Sequence, residues 1–174
     1  MVNHDKQYTQ RLAHQRRRDL AKRQKPGIIF YPISWLLLSA IVLANEPSNS
    51  NITLTTSFFA LFCIAALVRY IATQRYKKAL SNQQQLSSMI MLNCSIAFSA
   101  SSFGIVSAYS LVDINLQPYA ILILAANFSL CAGGVIALCI SRLTTFIFLC
   151  GMLLPSAIAC LFFLNRLLLK ALKH

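Results

Sequence analysis

"AGGVIALCISRLTTFIFLCGMLLP", residues 132–155, carries one charged side chain, Arg142, and no other charge lies between Asp113 and Arg166. A bilayer's hydrocarbon core is about 30 Å thick and takes roughly 20 helical residues to cross. An arginine held at mid-bilayer is costly and is retained for function, whereas one at a turn between crossings simply touches water. Apolar runs of crossing length flank Arg142 on both sides, at about 119–140 and 143–164. Arg142 therefore reads as the turn, with "SRL" (141–143) as a tight hairpin.

Carried outward, the same ruler finds three more runs, at about 28–44, 53–72 and 88–111. Composition agrees: 57% of residues are hydrophobic and 11% charged, where a soluble domain has about a quarter charged. Mean hydropathy is +0.61. Charge has been removed from whole segments rather than thinned evenly. The expected fold is all-α, a polytopic membrane helix bundle of about five transmembrane helices. Its parts are a basic tail (1–27), the bundle (28–164) and a short basic amphipathic tail (165–174).

The 16 Lys and Arg residues outnumber the 4 Asp and Glu. Such a balance can signal nucleic acid. Here eight of the 16 precede residue 26 and the others lie in gaps or at the end, so the distribution encodes orientation instead. The gap from Arg69 to Ser87 holds Arg69, Arg75, Lys77 and Lys78, while "NEPSNSNI" (45–52) and "VDINLQP" (112–118) hold no cation. Positive loops stay cytoplasmic, which puts the N-terminus, the second gap and Arg142 inside. A cleaved signal peptide is a poorer reading of segment 1, despite Val42 and Ala44, because the basic leader is far longer than a signal's n-region. The tail cations Arg166, Lys170 and Lys173 are the misfit, since five crossings leave them outside.

Tyr31 and Trp35 are expected as headgroup-level anchors, with Pro32 in the first turn of segment 1. Helices associate in lipid through small residues. Segment 4 has a stripe of these at Ala125, Ser129, Gly133, Ala137 and Ser141, and segment 3 a shorter one at Ala100, Gly104 and Ala108. Both are expected to be packing seams, so that Gly133→Leu disrupts the fold. The serines of segment 3 (Ser95, Ser99, Ser101, Ser102, Ser107, Ser110) suit either a water-lined path or packing with hydroxyls bonded to their own helix. Packing is the expectation. Asn93 and Asn127 are expected to bond between helices, and Pro155 to kink segment 5.

Cys63, Cys94, Cys131, Cys139, Cys150 and Cys160 all lie in apolar runs without a C-x-x-C or a nearby histidine, so they read as packing residues. Proton coupling and membrane catalysis call for an ionisable group within the bundle. Only Arg69 stands there, near the inner end of segment 2; Glu46 and Asp113 are in loops, and His4, His14 and His174 in the tails. No catalytic, cofactor or metal-ligating set can be assembled, and no ligand-binding residue assigned. The reading is non-enzymatic.

Several fragments resemble the N-terminal multi-pass membrane sensor region of bacterial sensor histidine kinases and diguanylate cyclases: "RRRDLAKRQKPGIIFYP" (16–32), "RYIATQRYKK" (69–78), "SFG" (102–104), "AGGVIALCISR" (132–142) and "GMLLPS" (151–156). Phe103 stands where that region more typically has Trp. The resemblance implies a sensory or anchoring module of the bacterial inner membrane, truncated before its kinase or cyclase output domain. It also implies that domain, or a second copy of the chain, as partner. The bilayer is the other partner, with anionic headgroups at the basic tail. A small permease or channel-like subunit, or a stand-alone structural protein, is the alternative.

Overall fold

The computed structural model describes residues 2–79 and 85–171. Every described element is helical: α1 (Val2–Asn45), α2 (Asn49–Ala79), α3 (Gln85–Val112), a 3₁₀ turn (Gln117–Tyr119), α4 (Ala120–Leu138) and α5 (Arg142–Ala171). Five stretches are long and apolar enough to cross a membrane: Arg18–Asn45, Asn49–Ala79, Leu86–Val112, Gln117–Leu138 and Arg142–Asn165. The turn between α4 and α5 occupies residues 139–141, and Arg142 is the exposed first residue of α5. Arg142 is thus exposed beside the turn, as expected, but the turn lies two residues earlier than 141–143 and Arg142 itself is helical.

Contacts along the helices fix their directions. Trp35 Nε1 donates to the Thr55 carbonyl at 3.0 Å, which runs α1 against α2. The Phe58 and Tyr109 rings (5.7 Å) and the Phe62 and Phe103 rings (5.3 Å) set α3 antiparallel to α2. Thr144 Oγ1 donates to Asn93 Oδ1 at 2.9 Å, and Ser156 Oγ lies 3.4 Å from the Gly104 carbonyl, so α5 runs parallel to α3. Asn127 Nδ2 donates to Ser156 Oγ at 3.1 Å, which reverses α4 relative to α5. The early part of α1, Arg75, Lys77, Lys78 and Arg142 thus share one end of the bundle. Glu46 and Asp113 lie at the other.

α3 is the central element; more of it is buried than of any other membrane-length stretch. Its seam is the expected one. A Cβ on Gly104 would collide with the Gly151 carbonyl and lie 2.8 Å from that of Met152, and one on Gly151 would stand 3.0 Å from the Ala100 Cβ. α3 and α5 therefore meet backbone to backbone. Pro155 cannot donate to the Gly151 carbonyl, and that carbonyl faces Gly104.

Three expectations are corrected. Helix α1 begins before segment 1, so Pro26 and Pro32 lie inside it and Pro32 is not in a first turn. Tyr31 and Trp35 are core residues, 5% and 0% exposed, rather than anchors. Trp35 packs edge-on to Phe58 (5.4 Å, 87°) and against Phe62, and Tyr31 lies 5.9 Å from Phe103. The α4 stripe is not a seam: Ala125, Ser129 and Gly133 are exposed, and a Cβ on Gly133 meets nothing within 4 Å. The neighbouring Gly134 carries the contact, because its Cβ would strike the Phe148 ring of α5. Arg166 and Lys170 fall within α5, which continues the helix as expected; Lys173 lies outside the described residues.

Candidate functional site

Four of the six segment 3 serines are buried and bonded to their own helix, while Ser107 is buried with no hydrogen-bond partner for its hydroxyl and Ser101 is half-buried. Ser95 donates to the Leu92 carbonyl (2.7 Å), Ser99 to Ser95 (2.9 Å), Ser102 to Phe98 (2.8 Å) and Ser110 to Ser107 (2.8 Å). Asn93 and Asn127 bond between helices, as expected; Asn127 Nδ2 also reaches the Met152 carbonyl at 3.3 Å. The asparagines join helices, whereas these four serines bond to carbonyls of their own helix. Of the cysteines only Cys131 is buried; Cys63, Cys94, Cys139 and Cys160 face outward and Cys150 is half-buried, which narrows their packing role to one residue.

The unusual chemistry sits on α2. Arg69 is not a loop cation, because α2 runs on to Ala79 and Arg69 is 3% exposed. Its guanidinium carbon lies 5.8 Å from the centre of the Tyr31 ring. A cation placed over an aromatic face gains on the order of 1–2 kcal/mol when desolvated. Gly27 makes the space: a Cβ there would stand 2.7 Å from an Arg69 terminal nitrogen. Arg69 is therefore seated by two α1 residues four apart, Gly27 supplying room and Tyr31 a ring on the same helical face.

Beside that seat, between α1 and α4, lies a cavity of about 210 Å³. Its walls include Arg23, Phe30, Arg69, Gly133, Ala137 and Phe148. Small residues of α4 are thus the wall of a groove: Ser129, Gly133 and Ala137 all border it. Two cues for this site stand in the sequence, an arginine inside an apolar run and a small-residue stripe. Neither alone says that they meet, because α1, α2 and α4 are far apart along the chain. No known protein family, curated protein or solved structure matches this chain.

Proposed function

We propose that the chain is a multi-pass membrane module, its basic end in the cytoplasm, serving as the input and anchor of a bacterial signal-transduction protein of the inner membrane. The membrane part of this reading rests on an inverted surface. Large apolar side chains face outward along the helices, among them Ile121 (83% exposed), Ile136 (70%) and Phe162 (76%), while serines and asparagines are buried. The orientation rests on charge: Arg23, Arg75, Lys77, Lys78 and Arg142 gather at one end, and both loops of the opposite end lack cations.

One observation carries the signalling part. α1 passes without interruption from the basic segment into the bundle, 44 residues in all, or about 65 Å at 1.5 Å per residue. Leu20 and Ala21, beyond the first apolar run, belong to the same core cluster as Tyr31 and Trp35. A stimulus that favours one packing of α1 against α2 moves the cytoplasmic half with it, provided its affinity differs between the two packings. The module is non-catalytic on this reading, and a kinase or cyclase output domain receives the movement.

The DNA that follows codon 174 tests this. A reading frame for a kinase or cyclase domain, continuous with or directly beside this one, is expected; unrelated genes overturn the reading. Flux through proteoliposomes addresses the channel alternative, which the self-bonded serines disfavour. No solute flux is expected.

A further inference from the structure

We infer that the groove between α1 and α4 binds one anionic phospholipid, its phosphate at Arg69 and Arg23 and its acyl chain leaving over Gly133. This rests on the membrane reading and adds a specific ligand to it. The charge is matched. Two guanidinium groups border the cavity, Arg69 buried and Arg23 exposed at the mouth, and no carboxylate is among its lining residues. A zwitterionic headgroup finds no carboxylate there for its ammonium. An anionic one has two cations for its phosphate, and arginine pairs with phosphate through two parallel hydrogen bonds.

The surroundings select a lipid rather than a free anion. Apart from the two arginines, Ser129 and Tyr31 the walls are apolar, and the lining residues Phe30 (56% exposed) and Gly133 reach the apolar exterior. The level is also right. Arg69 lies six residues before Arg75 on α2, or roughly 9 Å along the axis from the first cation of the basic end. A headgroup at that end reaches this depth with its phosphate while its chain continues along the bundle. The volume suits a phosphate and the first few carbons of a chain, and the remainder lies on the exterior. The missing side chain at Gly133 leaves the exit open: a Cβ there meets no atom within 4 Å.

The test uses the full chain in nanodiscs made from phosphatidylglycerol and phosphatidylcholine, with retained lipid counted by native mass spectrometry. Two arginines near a surface favour an anionic lipid by roughly 30-fold. Wild type is expected to keep one phosphatidylglycerol at about that preference. Gly133→Leu, which fills the exit without touching either arginine, is expected to abolish the preference while helix content and melting in phosphatidylcholine stay unchanged. If that variant does not fold, the exposed Arg23→Gln carries the test, with an expected loss of roughly fivefold. Equal retention of both lipids, an undiminished preference in Gly133→Leu or in Arg23→Gln, or displacement of the lipid by inorganic phosphate overturns the site. Release of the chain from membranes by alkaline carbonate would instead overturn the membrane reading, and is measured separately.

Discussion

Arg142 and Arg69 look alike in the sequence, each a single cation beside an apolar run, yet their surroundings differ. Arg142 opens α5 in contact with solvent, and Arg69 lies 3% exposed behind Gly27 and Tyr31. Spacing finds the first, because two crossing-length runs must be separated by a turn. It misses the second, because the residues that seat Arg69 are about forty positions earlier in the chain. The glycines teach the same lesson. Gly133 and Gly134 are adjacent, but one borders open space and the other the Phe148 ring. Gly104 is the most constrained of those described in α3 and α5, since it faces two backbone carbonyls that cannot rotate aside. Gly104→Ala is therefore expected to destabilise by about 1–3 kcal/mol, as overpacking does. Gly133→Ala is expected to be neutral or to stabilise by up to ~1 kcal/mol through helix propensity. Melting of purified protein in one detergent compares them, and equal shifts would refute the assignment of the seam to Gly104.

Between elements, the sequence shows where helices lie better than which way they face. A soluble helix declares its buried side by an apolar stripe. These helices are apolar nearly all round, so the stripe vanishes and only small and polar residues mark the inside. On α3 these marks are dense and agree: Ala100 and Gly104 form the seam, and Asn93 bonds across to Thr144. On α4 they conflict. Asn127 turns inward to Met152 and Ser156, while Ala125, Ser129 and Gly133 lie on the exposed side. The asparagine is the better guide, because an amide buried without a partner costs more than a small residue left unpacked. The Asn93–Thr144 bond is expected to couple α3 to α5 by about 0.6–1.7 kcal/mol in a double-mutant cycle of Asn93→Ala and Thr144→Val. A matching cycle on Ser95 and Ser102, each bonded to its own helix, is expected to give coupling near zero. Equal coupling in the two cycles would contradict this division between hydroxyls that join helices and hydroxyls that do not.

For the whole molecule, the five helices and the alternation of cationic and cation-free gaps were legible from run length and charge alone. The length of α1 was not, because its first half is polar and only continuity with a packed helix holds Leu20 and Ala21 in the core. On the membrane reading, reporters fused after Lys78 and Arg142 are expected to be cytoplasmic, and those near Ser50 and Gln117 periplasmic. The tail is the stricter test. α5 has 30 residues, about 45 Å of helix against a hydrocarbon core of about 30 Å. Starting from Arg142 at the basic end, it crosses the core with several turns to spare, and its membrane-length stretch closes at Asn165. Arg166 and Lys170 follow on the same helix. A basic periplasmic end is disfavoured but permitted. Five crossings from a cytoplasmic start leave no other side, so a reporter after His174 is expected to be periplasmic. A firmly cytoplasmic reading would mean that one helix does not cross. α4, the shortest at 19 residues and about 28 Å, would be the first to re-examine.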